Sequence, residues 1–373
     1  MTKDKLLFTP GPLTTSATVK EAMLHDAGSR DRAFIETVRE IRQRLLALGG
    51  VASPKSEGEY ECVLMQGSGT FAIESVISSA IPSDGNLLVL VNGAYGRRIA
   101  QMARVHEINT RTLEAPENCK ISPAAVAEAL AATSGITHVA VIHCETTTGI
   151  INPIEEIGEV VESVGAVYIV DAMSSFGAIA VDLAAARIDF LISSANKCIE
   201  GVPGFGFVLA RRSRLLETKG QARTLSLDLH AQWTGLEADG QFRFTPPTHA
   251  LLAFHQALFE LEAEGGPAGR LQRYSANHAA LMRGMANLGI EAYLAPQDQS
   301  PIITTFRYPE SPHFNFLELY ERLSERGFVI YPGKLTAEPC FRIGTVGRLH
   351  PTDIEALLAA MRFVFEEMGV TQQ

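Results

Sequence analysis

The chain has 373 residues, 46% of them hydrophobic and 20% charged, an ordinary globular balance with length enough for two domains. A formal net charge of −10 excludes the basic face that nucleic-acid binding needs, and no apolar run is long enough to span a bilayer. The start, MTKDKLLFTPGP, lacks the apolar core of a signal peptide, so a cytoplasmic protein whose partners are small molecules or a second copy of itself is expected.

In chain order, TPGP at 9–12 enforces an extended, turning path. Phe34, Val38, Ile41, Leu45 and Leu48 recur at three and four, which predicts a helix over 33–48. From Tyr60 onward short apolar runs, CVLMQ, NLLVLV, THVAVIH, AVYIVD, FLISS and FGFVLA, alternate with helical periods such as 70–80 and 123–132. Continuous apolar runs of this length are strands buried on both faces, so a mostly parallel sheet covered by helices is expected. Beyond a long helix over 249–264 that stops at Gly265 and Gly266, the pattern changes. It reads as helix, strand (301–308), helix (314–326), strand (328–333), strand (340–345) and helix (352–367), a smaller α+β domain. The expected division is a large domain over 14–265 and a small one made of 1–13 and 266–373.

In parallel sheets ligands gather at the carboxyl ends of the strands, so the residues just after each run are the ones to inspect. After CVLMQ come Gly67, Ser68, Gly69 and Thr70, a plain strand-to-helix turn or an anion site at a helix N-terminus. It lacks the lysine of a Walker motif and the third glycine of a dinucleotide fingerprint. Asp171 ends AVYIVD, where a carboxylate either caps a helix or awaits a positive partner. Lys197 follows FLISS on a turn of small residues, as a surface lysine or as an amine placed to form a Schiff base with a carbonyl cofactor. A phosphate cup, an acid for a pyridinium nitrogen and a Schiff-base lysine at one sheet edge are together what pyridoxal phosphate needs.

Five cysteines, Cys62, Cys119, Cys144, Cys198 and Cys340, are scattered without CxxC spacing, which suggests neither a disulfide framework nor a zinc site; they read as reduced thiols. The arginine clusters 97–98 and 211–214 read as solvated faces and are assigned no function.

At FTPGPLTTS (8–16), QGSGTFAIE (66–74), NGAYGRR (92–98), HCETTTG (143–149), VDAMSSFG (170–177), SSANKCIEGVPGFGF (193–207), TLSLDL (224–229), FTPPTH (244–249) and FRIGTVG (341–347) the chain resembles the fold-type I aminotransferases of the class V group, over essentially its whole length. Within that group the resemblance points to the phosphonate branch. It implies an α/β fold of type I and amino transfer from 2-aminoethylphosphonate to pyruvate with pyridoxal 5′-phosphate, by a homodimer. The competing readings are an alanine:glyoxylate or serine:pyruvate aminotransferase of the same group, a pyridoxal-phosphate lyase, and a non-enzymatic α/β binding protein.

The resemblance also implies roles. Lys197 would hold the cofactor and carry the proton, and Asp171 would pair with the pyridine nitrogen. Ser68, Gly69 and Thr70 would bind the phosphate, with Asn196 and, from the neighbouring subunit, Thr245. Tyr95 would stack on the ring unless it is a packing aromatic, and Thr146 would lie near the phenolic oxygen unless it caps the backbone. Arg342 would receive carboxylate or phosphonate; otherwise it is a strand-edge arginine paired with an acid. His143, Cys144 and Cys198 read as packed side chains. Where some members carry a tyrosine that touches the phosphate, this chain has Phe242.

Overall fold

A computed structural model describes residues 4–52, 58–335 and 338–370; the ends of the expected small domain, 1–3 and 371–373, lie outside them. Seven strands form one sheet: β1 (Tyr60–Gly67), β2 (Asn86–Val91), β3 (Asn109–Glu114), β4 (His138–Ile142), β5 (Val167–Asp171), β6 (Phe190–Ser194) and β7 (Gly204–Arg211). Their order is β1-β7-β6-β5-β4-β2-β3, and β7 alone runs antiparallel to its neighbours. The mostly parallel sheet expected from the apolar runs is therefore present. Registers Ile142↔Asp171 and Asp171↔Ile192 bring the ends of β4, β5 and β6 to one edge.

β3 escapes the apolar-run criterion. NTRTLE is polar and only half-buried because it is an edge strand, paired with β2 alone. Around the sheet stand α1 (Arg32–Leu48), α2 (Gly69–Ala80), α3 (Ala94–Val105), α4 (Pro123–Ala132), α5 (Ile154–Ser163), α6 (Leu229–Asp239) and α7 (Thr248–Ala263). The starts of α1 and α4 carry local caps, Asp31 accepting from the Ala33 amide and Ser122 from that of Ala125. Gly265 and Gly266 both take left-handed φ values, 98° and 69°, which turn the chain from α7 into α8 (Gly266–Asn287).

The rest of the chain adds β8 (Ile303–Arg307), α9 (Phe316–Glu325), β9 (Tyr331–Pro332), β10 (Cys340–Gly344) and α10 (Pro351–Met368). The single strand expected over 328–333 is instead two short pieces in different sheets. Phe328–Val329 pairs with Leu6–Leu7, whereas β9 pairs with β10. Buried Ile330 separates them, and Pro332 has no amide with which to continue a ladder.

One apolar core fills the space between the large sheet and its helices, and a second unites Phe8 with α8, β8, α9, β10 and α10. A small third core, including Leu13, Cys144, Cys198, Tyr274, Ile303 and Val346, lies where the two meet. Residues 6–14 run along the second core. The Phe8 amide donates to the Val329 carbonyl (2.8 Å), and the Gly344 amide to that of Phe8 (3.0 Å).

Candidate active site

The carboxyl edge of the large sheet opens into a cavity of about 180 Å³ lined by Ser68, Gly69, Thr70, Tyr95, Arg98, Asp171, Met173, Ser194, Asn196 and Lys197, with Ile73, Ile99 and Met102 behind. Seven residues singled out in the sequence thus share one space. Asp171 is there because β5 ends with it; its Oδ1 accepts from the Met173 amide at 2.9 Å. Burial lifts its carboxyl from 3.8 to about 6, against the pull of that amide, Lys197 and Arg98.

Lys197 is carried by the turn that joins β6 to β7. The Ala195 amide donates to the Phe205 carbonyl (3.2 Å), and the Glu200 amide closes on the Lys197 carbonyl at 2.7 Å. Burial pushes the Lys197 amine below the usual lysine range, against Tyr95, Cys198 and Asp171. Its Nζ donates to the Pro10 carbonyl at 2.5 Å, so TPGP is the lid over the lysine as well as a turn. A Cβ on Gly11, where φ is +127°, would meet Nζ at 2.9 Å and the Asn196 carbonyl at 3.0 Å. Only glycine fits that approach.

Two helices point their N-termini at the cavity, and they are capped differently. At α3 the capping residue is Gly93, and buried Glu145 supplies the missing acceptor from beyond β4, taking the amides of Tyr95 (3.2 Å) and Gly96 (3.3 Å). At α2 the capping residue is Ser68, whose side chain makes no cap bond. A Cβ on Gly69 would lie 2.4 Å from Met173 Sδ and 3.1 Å from Ser194 Cβ, so the helix start is pressed against the strand ends. An open helix start with two hydroxyls nearby suits a phosphate.

Tyr95 stands on the cavity wall with Arg98 over its ring at 4.9 Å and Lys334 at 4.6 Å; Lys334 Nζ also donates to its hydroxyl at 3.1 Å. Burial raises the Tyr95 hydroxyl, but a hydrogen bond with Thr146 and the charges of Lys334 and Lys197 outweigh it and bring it down to about 8. Thr146 and Arg342 stand just behind this wall. Arg342 is buried, with Nη1 donating to the Thr146 carbonyl (2.8 Å) and Nε to that of Pro332 (3.0 Å). The acid partner envisaged as an alternative is replaced by these two carbonyls. Thr245 lies outside the cavity of its own chain, exposed, with its carbonyl 3.5 Å from Gln66 Nε2. His143 is buried and held by burial down to about 4, its Nδ1 2.8 Å from the Ser175 hydroxyl, and Cys144 belongs to the third core. All five thiols are unpaired.

The family model for class-V aminotransferases matches residues 15–365. The chain belongs to the class-V aminotransferase family. It is 51% identical over 365 residues to a 2-aminoethylphosphonate--pyruvate transaminase of Syntrophobacter fumaroxidans, covering 98% of this chain and 97% of that one. It is 53% identical over 354 residues to the transaminase of that name from Bacillus cytotoxicus, covering 95% and 96%. Among solved structures, pyridoxamine-pyruvate aminotransferase from Mesorhizobium loti superposes with a TM-score of 0.88 at 25% identity, covering 98% of this chain and 93% of that chain. Alanine--glyoxylate aminotransferase from Nostoc sp. gives 0.87 at 25% identity, covering 98% and 96%.

Arg98, read from the sequence as part of a solvated face, instead lines the cavity over the Tyr95 ring, and beside the cavity Glu145, Lys334 and the Pro10 carbonyl carry no sequence assignment. Glu145 had a readable signal, since an acid just past an apolar strand needs a partner as much as Asp171 does. Arg98 is carried to the ring by its place three residues after Tyr95 on α3, whereas Pro10 and Lys334 owe theirs to chain segments that meet only in the folded molecule.

Proposed function

We propose that this aminotransferase moves the amino group of 2-aminoethylphosphonate to pyruvate, giving phosphonoacetaldehyde and L-alanine, as a cytoplasmic homodimer using pyridoxal 5′-phosphate. The observation that carries the reading is the match, over almost the full length, to relatives named for that reaction. Among the described residues no helix is long and apolar enough to cross a membrane. In the same reading the chain divides into a cofactor domain, 14–265, and a smaller domain, 1–13 with 266–373. The composition of the apolar cores supports this, the larger beginning at Val19 and ending at Leu261, the second drawing on Phe8 and then on Ala280 onward.

The residues present fit the cofactor. Asp171 is a buried carboxylate that lacks a cation in hydrogen-bond contact among the described residues, and a pyridinium nitrogen is such a cation. The uncapped start of α2, with Ser68 and Thr70, offers donors for the phosphate, and Asn196 lies on the same wall. When bound, pyridoxal phosphate supplies the carbonyl that takes up an amine and the electron-poor ring that spreads the charge left by a lost proton.

The chain's own groups do the rest. Lys197, whose ammonium form burial disfavours, would bond the cofactor through Nζ and, once the substrate's amine has displaced it, would accept at Nζ the proton from the amine-bearing carbon. Pro10 holds that nitrogen through its carbonyl. Asp171 would hold the ring nitrogen through its carboxylate, Tyr95 would cover the ring face and Thr146 would stand near the phenolic oxygen. Arg342 orients the acidic group of either substrate. The test is alanine formation from pyruvate with 2-aminoethylphosphonate as donor. The wild-type protein makes alanine and phosphonoacetaldehyde together, and Lys197→Ala loses both the turnover and the visible absorbance of the bound cofactor. Consumption of the phosphonate without pyruvate beyond one equivalent per active site, or turnover by Lys197→Ala, rejects the assignment.

A further inference from the structure

The two substrates in this reading differ most in the group farthest from the chemistry. Pyruvate carries a planar carboxylate with two oxygens and one charge. A phosphonate carries three oxygens and, by analogy with a phosphate monoester, between about one and two charges near neutral pH. Arg342 alone matches the first better than the second. Its Nε and one Nη1 hydrogen are committed to the carbonyls of Pro332 and Thr146, so two of the guanidinium's five donors are spent on the protein, and the second Nη1 hydrogen with the pair on Nη2 remains for a ligand.

A second cation stands nearby. Lys334 follows β9, whose Pro332 carbonyl holds Arg342, and β9 pairs with β10 in the register Tyr331↔Arg342. One hairpin therefore carries both cations. They also meet at the other domain. Arg342 reaches the Thr146 carbonyl, Thr146 hydrogen-bonds Tyr95, and Lys334 reaches the Tyr95 hydroxyl at 3.1 Å. Among the described residues Lys334 has no carboxylate in ion-pair contact; its ammonium touches only the hydroxyl and ring face of Tyr95. A lysine held beside a cavity wall and left without a counter-charge is suited to an anion that arrives from solution. Lysine binds phosphate-like groups as a point charge, and three donors on one nitrogen can serve Tyr95 and a ligand oxygen at once.

We propose that Lys334 is a substrate-binding residue that, with Arg342, receives the phosphonate group, its ammonium taking the oxygen and the charge that a carboxylate lacks. The inference rests on the proposed phosphonate–pyruvate reaction and adds the residue that separates the two half-reactions. Lys334 contributes little when pyruvate or alanine is bound, because the free Nη1 and Nη2 donors of Arg342 already match the two oxygens of a carboxylate.

In a ping-pong enzyme kcat/KM for each substrate reports its own half-reaction, so the two can be read apart. With the holoenzyme, Lys334→Ala is expected to lower kcat/KM for 2-aminoethylphosphonate about tenfold or more, mostly through KM, and to change kcat/KM for pyruvate less than about twofold. Lys334→Arg restores most of the loss. Calorimetric binding of ethylphosphonate, which has no amine to react, weakens in Lys334→Ala by a similar factor, whereas propionate binding does not. Equal losses for both substrates, or a fall in kcat with ethylphosphonate binding intact, overturn the inference and leave Lys334 acting through Tyr95. If the wild-type protein makes no alanine from 2-aminoethylphosphonate, the proposed reaction fails and this inference with it. Normal wild-type turnover with an unaltered Lys334→Ala variant rejects the inference alone.

Discussion

Asp171 is a carboxyl group closed off from water at the end of a strand, and its raised pKa, about 6 against 3.8, states how poorly the protein alone satisfies it. For an acid raised on folding, the stability contribution is present below the unfolded pKa and is lost as pH rises through the folded one. Above pH 6 the cofactor-free protein therefore carries the whole penalty, up to about 3 kcal/mol at 1.36 kcal/mol per unit. Cofactor-free Asp171→Asn should unfold at a higher denaturant concentration than wild type at pH 8, with the difference fading toward pH 4. Cofactor added to both proteins should reverse the order if, as proposed, Asp171 pairs with the ring nitrogen, because the variant lacks that partner. A pH-independent difference would show that Asp171 is not the strained group. Lys197 has the complementary problem, an amine kept from water, and the Pro10 carbonyl is what meets it.

At the level of elements, the turn after β6 is held from beneath by α8. Glu200 adopts a left-handed φ of 66°, which costs a non-glycine residue about 1 kcal/mol or more and persists only where surroundings enforce it. The enforcing groups are the Tyr274 hydroxyl (2.6 Å) and Arg273 (2.8 Å) on its carboxylate, with Arg270 at 3.4 Å. Fully buried Arg270 also donates to the Cys198 carbonyl, one residue from Lys197. Removing one partner of a buried ionic cluster leaves the others uncompensated, a change that typically costs about 3 to 5 kcal/mol. Arg270→Met should accordingly lower the unfolding free energy by about that amount in urea titration, and Arg322→Met, which breaks ion pairs on an open surface, by less than about 1 kcal/mol. Equal effects would mean that the cluster does not brace the turn. The same logic separates the two helix starts at the cavity. Glu145 completes α3 from within the protein, and α2 is left open for a ligand.

At the scale of the molecule, Phe71, Leu225 and Phe244 are exposed by 50%, 75% and 45%. They stand about the segment where Gln66 Nε2 meets the Phe244 carbonyl (2.9 Å) and Arg243 Nη1 that of Leu225 (2.9 Å). An apolar patch beside the start of α2 supports the proposed homodimer, in which that start would bind the phosphate and exposed Thr245 would complete the partner's site. Thr245→Ala should then weaken cofactor binding about tenfold, the effect of one hydrogen bond to a charged group. Subunits carrying Thr245→Ala, mixed at limiting cofactor with inactive Lys197→Ala subunits, should regain activity. In a mixed dimer both substitutions fall in one site and the other site is intact. Failure of mixed samples to exceed the sum of the separate ones would place Thr245 in its own subunit's site or outside any site.

The amino-acid sequence by itself determined the fold class and the edge of the sheet where chemistry would gather. Apolar runs of strand length are local signals, and in a parallel sheet the residues that follow each run are carried to the same edge whatever else the chain does. Asp171, Lys197 and the Ser68 turn were legible for that reason, whereas the place of Tyr95 was implied by the family resemblance. The tertiary structure alone decided what surrounds them. Pro10 lies 187 residues from the lysine it touches, and Lys334 lies 239 residues from Tyr95. Such pairs follow from how the second core docks against the sheet, which no local pattern encodes. Likewise β3 is polar because it closes the sheet's edge, and Arg342 gives its hydrogen bonds to carbonyls, not to an acid, because the fold brings Thr146 and Pro332 to it.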